Sequence, residues 1–336
     1  MRARELGVSI GDGTPGPLNA ITDVRGVRVG HVTLIEGEEV RTGVTVVLPP
    51  EGVHFAGSHC LNGNGELTGL AWVKESGLLT TPIGLTNTHS VGVVRDALCA
   101  AAKDGADWSL PVVGETWDGL LNDINGFHVK AEHVFEALDS ASDGPVGEGN
   151  VGGGTGMICH GFKGGIGTAS RVADGYTVAV LLQANHGRRG RLQVNGVPVG
   201  RALGPDRVPL PPRPPAGGSI IVLVATDAPL LPHQCERLAQ RAALGVGRTG
   251  GAGENSSGDF VLAFATGNAA LAEGGETISV AMLANERIDG LFYAAIEATE
   301  EAIVNALLAA ETMTGKGGTV HRLDPELFAD VAGGAR

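Results

Sequence analysis

The chain has 336 residues, 43% hydrophobic and 18% charged, with a formal net charge of −13. This length can bury a large core, and the composition excludes a disordered chain. The acidic balance argues against nucleic-acid binding, because the basic cluster of Arg188, Arg189 and Arg191 beside a turn reads as a solvated face.

Glycine is the outlier. The 54 glycines make about 16% of the chain against a usual level of roughly 7%. They follow no Gly-X-Y period and cluster between apolar runs, where tight turns or close backbone approaches need them. The N-terminus, Met1 to Gly7, has no apolar segment, and no run of about 18 apolar residues occurs. The expectation is a cytoplasmic protein that does not engage a membrane. Cys60, Cys99, Cys159 and Cys235 form no CxxC pair, so they read as reduced thiols with no zinc or other metal bound.

In chain order, β-branched apolar runs predict strands at Val27–Leu34, Gly43–Leu48, Val178–Gln183, Ser219–Thr226, Phe260–Ala265 and Thr277–Leu283. Helices are predicted over 90–104, 228–244 and 290–311. The second has Asp227 as N-cap, Pro229 in its first turn and Gly245 as its stop. The third carries Leu291, Ala295, Ala298, Ala302, Ala306 and Ala309 on one face. Asn195-Gly196 marks a hairpin turn. Six prolines between Pro205 and Gly218 mark a surface loop or linker. The strands on either side of it are alike in length and burial, which favours one domain over residues 1–336.

Gly147-Glu148-Gly149-Asn150-Val151-Gly152 has the spacing of a dinucleotide fingerprint, but no apolar strand precedes it, so it reads as a pocket-shaping loop. The ten histidines include no HExxH, and His89, His128 and His160 read as structural. No GxSxG elbow is present to start a serine–histidine mechanism.

What remains is the stretch Arg248 to Phe260, which contains Gly253-Glu254-Asn255-Ser256-Ser257-Gly258-Asp259. On glycine content alone it is an αβ loop. Asn before Ser has a chemical consequence, however. A hydroxyl held against the preceding carbonyl attacks it in an N-to-O acyl shift, and hydrolysis of the resulting ester frees an N-terminal serine. The new α-amine, with an ordinary pKa of about 7.7–8.0, accepts the hydroxyl proton near neutral pH. Such chemistry needs no histidine base.

Nine segments in order resemble the DmpA-type self-processing aminopeptidases, the L-aminopeptidase/D-esterase and β-peptidyl aminopeptidase group. They are Gly16–Val24, Val29–Leu34, Thr86–Gly92, Glu115–Gly119 with Leu121–Asp123, Gly152–Met157, Gln183–Gly187, Ala225–Leu231, Asn255–Asp259 and Ala298–Ala302. The resemblance implies an α/β fold, an αββα four-layer sandwich like the Ntn hydrolases but differently connected. It implies one cut between Asn255 and Ser256, giving chains 1–255 and 256–336, the second of 336 − 255 = 81 residues. It also implies no cofactor, a small peptide or amino-acid amide as substrate, and a homo-oligomer, commonly a tetramer of such αβ units.

Carried onto this chain, Ser256 is the nucleophile, with Ser257 its rival for the new N-terminus. Asn185 donates its amide to the oxyanion, although on sequence alone it reads equally as a turn former. Glu115 binds the substrate's free amine, although on sequence alone the reading as a solvated or capping acid comes first. Trp117 stands where some relatives have an oxyanion-assisting Tyr; its indole N–H donates but shuttles no proton. The family's Ser-x-Glu pair matches Thr299 and Glu301. Residues two apart on a helix do not face each other, so this pairing requires a helix that starts or breaks near Thr299. Rival readings are hydrolysis of another amide, pantetheine-like, and acyl transfer of the ornithine acetyltransferase type.

Overall fold

The computed structural model describes residues 1–102, 108–212, 218–272 and 275–333. In chain order its strands and helices are β1 (Arg28–Glu36), β2 (Val40–Leu48), β3 (His54–Gly63), α1 (Leu70–Ser76), β4 (Leu78–Leu79), β5 (Ile83–Asn87), α2 (Val91–Ala101), β6 (Val112–Thr116) and α3 (Ala131–Asp139). They continue with β7 (Ile158–Cys159), β8 (Phe162–Lys163), β9 (Gly165–Ala173), β10 (Tyr176–Asn185), α4 (Val199–Ala202), β11 (Ser219–Thr226), α5 (Pro232–Arg248) and β12 (Gly258–Ala265). The C-terminal part holds α6 (Asp289–Ala309), β13 (Met313–Gly315), β14 (Gly318–Val320) and α7 (Pro325–Ala332).

Two sheets stack face to face. One has the order β1-β2-β5-β6, the other β4-β3-β12-β11-β10-β9. Side chains alternate across a strand, and β10 shows how this builds three layers of core. Its Ala179 and Leu181 join Val47, Ile83, Leu85, Leu223 and Leu262 between the sheets. Its Val178, Val180 and Leu182 face the other way, toward Leu238, Ala242, Ala298 and Ala302 of α5 and α6. Beyond the smaller sheet, Val44, Val46 and Val113 pack with Val94 and Leu98 of α2 and Val134 of α3. The result is the expected helix–sheet–sheet–helix sandwich. Central strands covered on both faces read as continuous apolar runs, which is why β11 and β12 stood out in the sequence.

Strands β11 and β12 run parallel, whereas β10 is antiparallel to β11. A parallel pair needs a crossover, and α5 supplies it. The end of β10, the start of β11 and the start of β12 therefore meet at one end of the sheet. The strand neighbours β10 and β11 also flank the Pro-rich stretch, so both its sides belong to one sheet; residues 213–217 of that stretch lie outside the described residues, as do 103–104 of the first predicted helix.

Three expectations change. The helix predicted over 228–244 is α5, Pro232–Arg248, with Pro232 in its first turn. Asp227 is not its cap but accepts a hydrogen bond from the Thr177 N–H. Gly245 lies inside α5 rather than ending it: a Cβ there would lie 2.6 Å from the Ile296 carbonyl oxygen and 2.7 Å from Thr299 Cβ, so glycine permits the close contact with α6. The third is the strand predicted at 277–283, which forms no ladder among the described residues and leaves Ile278, Val280 and Met282 exposed. The hairpin at Asn195-Gly196 holds, with both residues at positive φ between the paired Val194 and Val197. No helix among the described residues is long and apolar enough to cross a membrane.

Candidate active site

Asn185 is the last residue of β10 and, by strand alternation, shares the inter-sheet face with Ala179 and Leu181. The Ile158 N–H donates to its Oδ1 at 2.8 Å, which assigns the amide orientation. Its Nδ2 donates to the Trp117 carbonyl at 3.0 Å. An amide nitrogen carries two hydrogens, so one donor remains for a further acceptor. Asn185 pairs with Ser219, and Ser219 with Gly258. Two strand spacings, about 10 Å between backbones, thus separate Asn185 from the strand that Ser256 precedes.

Asn255 and Ser256 occupy the centre of a turn closed by the Ser257 N–H on the Glu254 carbonyl at 2.7 Å. Both are exposed. Two asparagines at the end of β3 hold this turn. The Asn62 amide donates to the carbonyls of Glu254 (3.1 Å), Asn255 (3.4 Å) and Ser257. The Asn64 amide donates to the Ser256 carbonyl at 2.9 Å. The register Asp259↔Asn62 between β12 and β3 brings them there. Neither was singled out in the sequence. Asn62-Gly63-Asn64-Gly65 was visible, but nothing local links it to a residue nearly 200 positions away.

The two serines differ sharply. Ser257 is 1% exposed, and its Oγ donates to Asp259 Oδ1 at 2.5 Å. Burial pushes the Asp259 carboxyl up to about 6, with the Ser257 hydrogen bond opposing it. Ser256 instead lines a cavity of about 480 Å³ together with Asn185, His186, Gly218, Ile158, Leu210 and Pro211.

Glu115, on β6, is 2% exposed. One carboxylate oxygen accepts the Glu66 N–H at 3.0 Å and the other the Thr88 hydroxyl at 2.5 Å. Burial pushes its pKa up, and these two hydrogen bonds pull against that. It is not one of the residues lining the Ser256 cavity. It lies behind the Gly65 turn, where a Cβ on Gly65 would come within 2.8 Å of Glu115 Oε1 and 3.1 Å of Gly258 Cα.

Trp117 contributes its backbone. Its carbonyl holds Asn185, while its indole lies over Gly119 and packs on the cluster of Leu120, Leu121, Ile158, Met313 and Val320. The indole was expected at the site and does not line the cavity. Thr299 and Glu301 are not brought to it either. The α6 helix runs unbroken through both, so they diverge. Thr299 Oγ1 donates back to the Ala295 carbonyl at 2.7 Å and packs beside Gly245. Glu301 is fully buried between Arg171 (2.6 Å), Arg4 (2.9 Å) and Asn19 (2.6 Å). Burial pushes its carboxyl up, yet the Arg171 and Arg4 guanidiniums hold it below the usual carboxylate range. That pairing ties the N-terminal segment and β9 to α6, which is a scaffold role.

Two stacked sheets between helices, with an exposed serine just ahead of a central strand and an amide donor across the cavity, define the class: a serine hydrolase of N-terminal-nucleophile architecture. The sequence profile of Peptidase family S58 matches residues 19–321. The chain is 52% identical to the β-peptidyl aminopeptidase BapA of Sphingosinicella microcystinivorans, over 96% of this chain and 89% of that one. Among solved structures, the Burkholderia sp. β-aminopeptidase superposes with a TM-score of 0.93 at 56% identity, covering 98% of both chains. The L-aminopeptidase D-Ala-esterase/amidase of Ochrobactrum anthropi, described as a variant of the Ntn hydrolase fold, gives 0.89 at 44% identity over 98% of this chain and 97% of that one. This chain belongs to peptidase family S58, and is a serine-type hydrolase.

Proposed function

We propose that the protein is a self-processing aminopeptidase that removes N-terminal residues from short peptides, amino-acid amides or esters. The observation that carries this reading is the contrast between Ser256, open on the cavity opposite the Asn185 amide, and Ser257, buried on Asp259.

In processing, Ser256 Oγ attacks the Asn255 carbonyl and the Ser256 nitrogen leaves with the hydroxyl proton, forming an ester. Water then cleaves that ester, giving a carboxylate on Asn255 and returning the Ser256 hydroxyl beside the amine freed by the shift. The Asn62 amide is the donor nearest the oxygen on which charge develops. In turnover, the Ser256 amine takes its own hydroxyl proton, Oγ attacks the substrate carbonyl, and the Asn185 amide receives the oxyanion. The protonated amine passes its proton to the departing amine, and water releases the acyl group from Ser256. The family resemblance gives Glu115 the substrate's ammonium; since it lies behind the Gly65 turn with its oxygens held by the Glu66 N–H and Thr88, its charge would act on unblocked N-termini from behind the cavity wall. Ile158, Leu210 and Pro211 on the cavity wall suit a small apolar side chain. The names of two relatives, β-peptidyl aminopeptidases, support β-amino-acid residues as candidates among the groups removed. The processed units assemble as homo-oligomers in this reading, which gives the exposed Ile278, Val280 and Met282 a cover.

The test combines intact mass under denaturing conditions with hydrolysis of aminoacyl p-nitroanilides. Two fragments, the smaller beginning at Ser256, and release from the free amine but not its N-acetyl twin are expected. A folded, uncut and inactive preparation overturns the proposal.

A further inference from the structure

Cys159, His160 and His186 lie together beside the Ser256 cavity. The sulfur and one ring nitrogen of each histidine are all within 4.8 Å of one another. Cys159 Sγ is 3.8 Å from His186 Nδ1, and the two imidazoles meet edge to face with centroids 5.1 Å apart. All three side chains are buried, His186 being the most exposed at 3%.

Local backbone explains the convergence. Adjacent residues of a strand point to opposite sides, and Cys159 ends β7. His160 then takes φ +50°, an uncommon conformation for a side-chain-bearing residue. That left-handed step brings its ring over Gly187, where a Cβ would meet it at 2.4 Å.

The histidines are also left with unused nitrogens. His160 Nδ1 faces the Arg188 carbonyl at 3.2 Å, the arrangement in which Nδ1 donates and Nε2 keeps its lone pair. Its Nε2 is buried with no hydrogen-bond partner, and so is His186 Nε2. Each imidazole thus keeps a buried nitrogen with no protein partner.

We propose that Cys159, His160 and His186 form a binding site for one soft divalent cation of the Zn²⁺ type, in the wall of the Ser256 cavity. A thiolate with two imidazoles is a donor set that favours Zn²⁺ over the oxygen-seeking Mg²⁺ or Ca²⁺. A tetrahedral site with three protein ligands leaves its fourth position for water from the cavity, which His186 itself lines. The thiol proton is displaced to solvent when the sulfur–metal bond forms, one proton per ion. Lys163 and Arg189 lie near and oppose a cation; the single thiolate charge offsets one of them. Lys163 is held on the carbonyls of Met157 and Gly164, which fix its ammonium in place.

Co²⁺ added to the reduced, chelator-treated protein reads the site directly. A thiolate-to-Co²⁺ charge-transfer band with one ion per chain is expected. The band should be lost in Cys159→Ser and weakened in His160→Gln, while Zn²⁺ competes it away. The band should persist when Cys60 and Cys99, the more exposed thiols, are both changed to Ser; this arm decides the matter if the Cys159 variant does not fold. Absence of the band in the wild type, or its loss in the Cys60/Cys99 variant, overturns the site. The result is independent of whether Ser256 processes the chain.

Discussion

The side-chain amide of Asn185 is clamped at both ends, its oxygen by the Ile158 N–H and one amide hydrogen by the Trp117 carbonyl. The remaining hydrogen is fixed in direction before any substrate arrives, which is the preorganisation an oxyanion donor needs. Replacing Asn185 by Ala in the processed enzyme is expected to lower kcat by about 10²–10³ with little change in KM, as for other single oxyanion donors. Steady-state kinetics on an aminoacyl p-nitroanilide measure this; an unchanged kcat removes the assignment.

The two neighbouring serines should separate cleanly. Ser256→Ala is expected to stay full length by intact mass. Ser257→Ala is expected to be cut, with a stability loss of about 1–3 kcal/mol from leaving buried Asp259 without its hydroxyl donor. Asn62→Ala should slow processing without stopping it. Cutting of Ser256→Ala at the same bond would move the nucleophile elsewhere.

Glu115→Gln keeps the shape and the acceptor for the Glu66 N–H but loses the charge. Its kcat/KM for a free-amine substrate should fall toward that for the N-acetyl analogue. Equal discrimination by variant and wild type would assign Glu115 to holding the Gly65–Glu66 turn alone.

A pH effect on stability follows from Asp118. Burial pushes its carboxyl up from 3.8 to about 7. Its protonated form is thus favoured in the folded state, so the stability it contributes is full below about pH 4 and is lost as pH rises toward 7. Asp118→Asn should flatten that part of the profile and be more stable than wild type above pH 7, read as urea midpoints across the range. A steeper loss in the variant contradicts the sign.

Gly245→Ala tests the α5–α6 contact. Alanine normally helps a helix by about 1 kcal/mol over glycine, but here the methyl meets the Ile296 carbonyl and Thr299. A net loss of about 1–3 kcal/mol is expected from overpacking, measured as a lowered denaturation midpoint. A gain would mean that the helices separate freely.

Legibility in the sequence followed unbroken apolar composition, since β5 and β6 are as buried as β11 and β12. Strands β11 and β12 were visible because their apolar runs are unbroken, whereas β3, β5, β6 and β9, which carry glycine and polar residues, were not. The helix over 290–311 was found nearly in full as α6. Its neighbour was shifted because Gly245 imitates a helix stop when the partner helix is unseen. The segment 277–283 has a strand's alternation, but no strand among the described residues pairs with it, and a strand is defined by its partner.

By itself the sequence marked individual strands, helices and the Asn255-Ser256 dipeptide, which are local properties; the layered α/β class and the reading of that dipeptide as a cut site came from the ordered resemblance to the family. Only the tertiary structure decided that Ser256 faces the cavity while Ser257 is tied to Asp259, that Asn62 reaches the turn, and that Trp117 acts through its carbonyl. It also decided that Thr299 and Glu301 sit within an unbroken helix with scaffold partners. These choices rest on strand order and register, which bring residues far apart in the chain to one sheet end and leave no mark on the residues nearby.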